Sequence, residues 1–244
     1  MYVRSSIQKV TIVESSEIAH LDVYGETDWS LIFKRELILK RVSTSARDCL
    51  DLGCGAGHLA KSLLDRRMNV VAFDLDLEAL QRAERRYDGP MIRGNAVLLP
   101  LDSGVFDIVV CSDLLEHVHD DIGVLDEIHR VLRPRARLIL TVPAMHSLWS
   151  QHDVRLGHVR RYEREDLCKR LRMSGFTVVQ AFFWASFLFP ATYLVRKLAP
   201  RYGRSGGVTS RRQRELILRI LRVEKMLPSL PFGVSLLAIA EKRV

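Results

Sequence analysis

Apolar residues along the chain fall into short runs closed by glycine, proline or acidic residues, and the stretches between them repeat their apolar positions at helical spacing. The runs DCLDLG, NVVAFD, GPMIRGNA, FDIVVCSD, ARLILTVP and FTVVQAFFW predict six strands, and GVSLLAIAEK predicts a last one. Helices are expected near 57–67, near 77–86, over DIGVLDEIHRVL and near 164–173, and Pro134 predicts a turn after the third of these. Regular alternation of strand and helix implies an α/β fold with a parallel, doubly wound sheet that binds ligands at the carboxyl ends of its strands. Residues 1–244 read as one domain in three parts: an N-terminal helical lid at 17–42, a core at 43–184 and a helical insertion at 185–232 before the last strand. The insertion holds an apolar stretch, a loop PRYGRSGGVTSRRQR and a helix ELILRILRVEKML.

Composition adds that 48% of residues are hydrophobic and 27% charged, enough to bury a large core and to exclude wholesale disorder. Cys49, Cys54, Cys111 and Cys168 lack metal-knuckle or redox spacing and are expected as free thiols in a reducing compartment. The N-terminal MYVRSSIQKV has no signal-peptide apolar stretch, so a cytoplasmic protein is expected. The formal charge of +8 is local in origin. Between Gln151 and Lys225 there are 17 Lys and Arg against 6 Asp and Glu, leaving 20 against 23 for the rest. Such a basic third suits either an anionic partner or a solvated arginine-rich face.

The first strand runs into Gly53-Cys54-Gly55-Ala56-Gly57-His58. A dinucleotide fingerprint would want glycine at position 58, and a phosphate-cradling loop would end in Gly-Lys-Ser/Thr. Neither is present. The loop therefore points to a nucleoside without phosphate, whose zwitterionic tail lies against bare backbone. Asp74 closes the second strand 21 residues beyond Gly53, where a carboxylate accepts hydrogen bonds from both ribose hydroxyls.

These segments resemble a class I S-adenosylmethionine-dependent methyltransferase of the methyltransferase type 11 kind. The resemblance rests on CLDLGCGAG, VVAFDLD, GNAVLLPLDSGVFDIVVCSDLLEHV and LDEIHRVLRPRARLILTVP, in the expected order over Cys49 to Pro143. RPRARL departs from the family's Pro-Gly-Gly turn. The resemblance implies a Rossmann-like seven-stranded sheet, mostly parallel with an antiparallel last strand, and makes 43–184 a cofactor-binding core for S-adenosyl-L-methionine. By position, Asp51, Gly53, Cys54, Gly55 and Gly57 would hold the methionine end, and Asp74, with Leu75, the ribose. Asn95 would contact the adenine amino group, Ala96 would offer its N–H to the ring, and Cys111 its carbonyl to the ammonium.

An in-line methyl transfer needs an oriented nucleophile, and a hydroxyl acceptor also needs a base. His146, His152 and His158 follow the fifth strand beside Asp153, Arg160, Arg161 and Tyr162, a cluster that could take a proton and clamp an anionic group. His152 and His158 are the favoured catalytic residues, and the GHxRxY stretch is similar to relatives that modify lipids and glycans. Asp113, Glu116 and His117 resemble the acidic–acidic–His set by which ubiquinone-type O-methyltransferases hold a divalent ion, but the expectation is that no metal is bound. The DNA-methyltransferase Asn/Asp-Pro-Pro-Tyr/Phe run and a Pro-Cys pair are both absent, which disfavours nucleic acid. Ala181 to Val195 carries fifteen uncharged residues, too few to span a bilayer and broken by Pro190. The expected reaction is methylation of a hydroxyl on a small molecule, a sugar or a lipid-linked or isoprenoid compound. N-methylation, RNA methylation and a non-catalytic cofactor-binding scaffold on acidic membranes are the alternatives. The insertion would recognise the acceptor, or serve a peripheral contact at the inner membrane face or a homodimer.

Overall fold

The structure, a computed structural model, describes residues 25–198, 210–227 and 229–243. The expected lid residues 17–24 and the insertion residues 199–209 and 228 lie outside it. The chain runs α1 (Trp29–Leu39), β1 (Asp48–Leu52), α2 (His58–Leu64), β2 (Asn69–Asp74), α3 (Leu77–Ala83), β3 (Met91–Arg93) and β4 (Phe106–Ser112). It continues through α4 (Asp121–Val131), β5 (Leu132–Pro143), α5 (Gln151–Arg155), α6 (Arg164–Met173), β6 (Phe176–Trp184), α7 (Phe189–Leu198), α8 (Arg211–Glu224) and β7 (Ser235–Lys242). Single 3-10 turns cover Leu115–His117 and His146–Leu148.

The seven strands form one sheet in the order β3-β2-β1-β4-β5-β7-β6. The first five pair in parallel, and β7 lies antiparallel between β5 and β6. Sequence and structure therefore agree on the sheet and its antiparallel last strand. The strand order reverses at β1, which has β2 on one side and β4 on the other, so the ligand crevice opens above their carboxyl ends.

Alternation along the central strands feeds two cores. Leu50, Leu52, Val109 and Cys111 face the layer that holds Leu125 and Ile128 of α4 and Leu167 and Leu171 of α6. Cys49, Ile108 and Val110 face the layer of Phe33 and Leu37 from α1, Leu63 from α2 and Leu218 and Leu221 from α8. Both faces are covered, which is why these strands read as unbroken apolar runs. One expectation changes: Pro134 does not sit in a turn between helix and strand. β5 already begins at Leu132, which pairs with Phe106, and the register resumes only at Arg137 opposite Ile108. The extra residues bulge, with Arg135 at φ 62° in place of the glycine usual there. Cys49, Cys54 and Cys111 are buried free thiols and Cys168 is half-buried, as expected.

Candidate active site

The loop after β1 turns through Gly53, Gly55 and Gly57 at φ +78°, +52° and +78°, conformations in which a side chain is strained. Space is also closed to a larger residue, since a Cβ on Gly57 would lie 2.8 Å from the Cβ of Ala83 in α3. Main-chain donors fix the bend: the N–H groups of Gly53 and Cys54 both donate to the Phe73 carbonyl, at 2.8 and 3.0 Å. Gly55 N–H donates to Asp74 Oδ2 at 2.9 Å, while Asp74 Oδ1 accepts from Asp76 N–H at 3.0 Å. Asp74 thus ties the loop to the end of β2 and keeps further lone pairs for hydroxyl donors. Burial raises its pKa, and the backbone donors of Asp76 and Gly55 pull against that rise.

Asp51 is buried beneath this loop, and its Oδ2 has no hydrogen-bond partner among the described residues. Burial, and then the nearby Asp74, push its pKa up to about 7. A bare-backbone cradle above an orphaned buried carboxylate oxygen suits an amino-acid tail carrying an ammonium. The donor set therefore fits S-adenosylmethionine. Asn95 is half-buried, and its Oδ1 accepts from Val97 N–H at 3.1 Å, leaving one lone pair for an adenine amino group. Ala96 is buried, the Leu75 carbonyl accepts from Arg93 Nε at 3.1 Å, and Cys111 lies one residue before the end of β4 with its thiol in the core.

Facing the loop, Asp113 stands at φ 52°, accepts from Thr141 Oγ1 at 2.9 Å, and pairs with Lys34 of α1. Burial would raise its pKa, but Lys34 and Thr141 outweigh that and hold it below the ordinary range. Lys34 thereby fastens α1 across the mouth. Nothing in the sequence signals this contact, because a lysine on a helix is ordinarily solvated.

The next turn buries Glu116 and His117, whose Oε2 and Nδ1 have no partner among the described residues. Burial and then Asp113 raise the Glu116 pKa well above normal, and burial and then His158 lower His117 to about 4. The His158 ring packs edge-on against His117, with centroids 4.8 Å apart. On its other side His158 Nδ1 lies 3.1 Å from Asp153 Oδ1. A carboxylate can only accept, so Nδ1 carries a hydrogen toward Asp153 and Nε2 is the ring nitrogen left outside that bond.

Asp153, fully buried, is also bound by Arg161 Nε at 2.7 Å, Ser150 N–H at 2.9 Å and Arg196 Nη1 of α7 at 3.2 Å. Burial acts to raise its pKa, yet His158 and the two guanidinium groups hold it well below the carboxylate range. The carboxylate stays ionised and aims the imidazole. His152 is half-buried, and burial and then Arg196 lower its pKa to about 4, so it is neutral. His146 is exposed, its Nε2 2.8 Å from the Arg161 carbonyl.

The expected anion clamp is not formed. Arg161 is spent on Asp153, while Arg160 and Tyr162 both bind buried Asp121 at 2.8 Å, joined by Arg170. Nor does the structure assemble Asp113, Glu116 and His117 as a ligand set, because Lys34 and Thr141 take Asp113. The donor atoms that do converge belong to Glu116, His117 and His158, within 4.8 Å of one another. Donors about this far apart can share hydrogen bonds to one bound group or close on an ion.

Comparison with known proteins agrees with this geometry. Residues 50–140 match the family model of a methyltransferase domain, Methyltransf_11. A Mycolicibacterium smegmatis protein described as a probable S-adenosylmethionine-dependent methyltransferase is 30% identical over 59% of this chain and 58% of its own length. A ubiquinone biosynthesis O-methyltransferase of Xylella fastidiosa is 34% identical over 43% of this chain and 46% of its own. The chain spans about half the length of the curated relatives it matches. Among solved structures, the complex between the Haloferax volcanii Trm112 methyltransferase activator and its methyltransferase matches with a TM-score of 0.66 at 18% identity, over 94% of this chain and 95% of the other. Residues 50–140 thus match a methyltransferase domain, and the sheet topology and the glycine loop are those of a class I S-adenosylmethionine-dependent fold.

Proposed function

We propose that the chain transfers the methyl group of S-adenosylmethionine to a hydroxyl oxygen, with His158 as the base that receives the hydroxyl proton. The single observation that carries this reading is the buried Asp153–His158 pair, whose imidazole packs on His117 in a corner where Glu116 Oε2 and His117 Nδ1 have no partner among the described residues. When bound, the cofactor supplies a sulfonium-activated methyl. The residues of this chain do the rest. The glycine loop and Asp51 hold the amino-acid tail, and Asp74 holds the ribose. His158 Nε2 takes the proton as the acceptor oxygen forms its bond to carbon, and Asp153 stabilises the imidazolium that results. Glu116, whose burial favours the protonated form, and His117, neutral, would hydrogen-bond further hydroxyls of the acceptor. That polarity favours a hydroxyl-rich small molecule, a sugar or a lipid-linked sugar. The name of the Xylella relative supports oxygen as the methylated atom.

Calorimetry with S-adenosylmethionine and S-adenosylhomocysteine tests the cofactor half. Binding is expected, and Asp74→Ala should weaken it by about a hundredfold through loss of two charge-assisted hydrogen bonds. Turnover with radiolabelled methyl donor against sugar, isoprenoid and phenol acceptors tests the other half. Binding without turnover of any hydroxyl acceptor, together with turnover of an amine, would move the reading to N-methylation.

A further inference from the structure

Exposed large apolar side chains are concentrated at one edge of the molecule. Phe187, Tyr193, Leu194, Val195, Leu198, Leu216, Val223, Met226 and Leu227, all on α7, α8 or their flanks, are exposed. α8 is apolar on two opposite sides. Leu218 and Leu221 are buried in the core, while Arg212, Leu216, Arg219 and Val223, at spacing i, i+4, i+7 and i+11, form a stripe on the far side that continues into Met226. No ion pair involves Arg212 or Arg219 among the described residues. α7 has no buried residue, and its outward turns carry Leu194, Val195, Lys197 and Leu198. Glu224 ties α8 to the segment that leads into α7 by accepting the N–H groups of Ser186 and Phe187 at 2.9 and 3.0 Å. α7 also reaches inward: Arg196 binds the Leu148 carbonyl at 2.8 Å and Asp153. Over the described residues 187–198 and 210–227 there are eight Lys and Arg against two Glu.

We infer that the α7–α8 edge docks on an anionic phospholipid surface, with the aliphatic side chains entering the interface and Arg212, Arg219 and Lys197 meeting headgroups. Cationic and aliphatic side chains interleaved on one helical stripe match an interfacial helix. None of the helices among the described residues is long and apolar enough to cross a membrane, so the contact is peripheral. A second copy of the chain fits poorly, because a two-fold interface would set each arginine stripe against its own image. Nucleic acid fits poorly too, since the α8 stripe offers aliphatics rather than rings to stack on bases. Docking would bring lipid next to the segment that carries Asp153, so a lipid-linked acceptor would meet His158 without leaving the bilayer surface.

Flotation of the full chain with phosphatidylcholine vesicles, with and without phosphatidylglycerol, tests this. Binding is expected on the anionic vesicles and should weaken with salt. The double variant R212Q/R219Q should bind about thirtyfold more weakly, from about 1 kcal/mol per cation. The triple variant L216S/V223S/M226S should lose at least tenfold, while both variants keep wild-type S-adenosylhomocysteine affinity, which reports an intact fold. Absence of the wild type from anionic vesicles, or equal flotation of wild type and both variants, overturns the proposal. So does retention on RNA, or dimerisation through the stripe, without vesicle binding. Cofactor affinity is read separately, so failure here leaves the methyl-transfer reading standing.

Discussion

The proposed cofactor half and the proposed acceptor half of the site are built by different means. Around the glycine loop the backbone does the work, with three left-handed glycines and main-chain donors fixed on the Phe73 carbonyl and Asp74. Beyond β5 it is buried charge: Asp153 bound by Arg161, Arg196, Ser150 and His158, and Asp121 bound by Tyr162, Arg160 and Arg170. The electrostatics run in opposite senses. Burial lifts Asp51 and Asp74 toward neutrality, whereas Asp113 and Asp153 are held ionised by cations. A socket for one invariant cofactor can be coded in a few contiguous residues. A socket for a particular acceptor needs side chains brought from distant segments, and it has more to lose when one is removed.

The largest effect is therefore expected from Asp153→Ala. It leaves two buried guanidinium groups without their carboxylate and should destabilise the fold by about 3–5 kcal/mol. That lowers the melting temperature by roughly 10 °C for a chain of this size, measurable by circular dichroism. Asp74→Ala removes a carboxylate whose partners are backbone donors and should cost less stability while costing cofactor affinity. Equal melting losses in the two variants would break the comparison.

Next in size is His158→Ala, expected to lower kcat by about 10²–10⁴-fold with cofactor affinity unchanged. His152→Ala should lower it by under tenfold, because no carboxylate among the described residues is hydrogen-bonded to that ring. The reverse ranking in single-turnover assays would move the base to His152 and reduce the Asp153–His158 pair to a structural role.

The sequence made the first half legible and the second only in outline. The seven strands, the doubly wound order and the residues from Asp51 to Asp74 follow from local signals: apolar runs, alternate glycines and an acid at a strand end. Asp113 was visible as a carboxylate near the site, but its capture by Lys34, 79 positions away, was not. Likewise GHxRxY flagged His158, while the departure of Arg160, Arg161 and Tyr162 to buried Asp121 and Asp153 depends on tertiary contacts that no local pattern encodes. The bulge at Pro134 was misread for a related reason. Proline predicts a break in the backbone, but the pairing of Leu132 with Phe106 before it and of Arg137 with Ile108 after it keeps the segment in the sheet.

A smaller effect separates the halves by pH. Asp51 has a folded pKa near 7, above its unfolded value, so its contribution to stability is complete below about pH 4 and is lost as pH rises through 7. His117 and His152 behave oppositely: with folded pKa values near 4, below the unfolded value, their contribution holds above about pH 6.5 and is lost on acidification toward 4. Ionised Asp51 is the form that attracts an ammonium group. Cofactor affinity should therefore climb about tenfold per unit well below pH 7 and level off above it. Titration calorimetry on wild type and Asp51→Asn checks this, since the variant should show a flat profile.

The smallest expected effect is none at all, from chelation. Treatment with EDTA should leave methyl transfer and the melting temperature unchanged, because the proposed reaction uses Glu116, His117 and His158 as hydrogen-bond and proton-transfer groups. The test is sharp because the same residues read differently around an ion. Asp153 behind His158 Nδ1 is also the arrangement by which a carboxylate orients a metal-bound imidazole. Activity lost to EDTA and restored by zinc or manganese would make His158 a ligand instead of a base. The metal would then lower the pKa of the acceptor hydroxyl. The acceptor half would then rest on coordination, and His158→Ala would abolish metal binding in calorimetry as well as turnover.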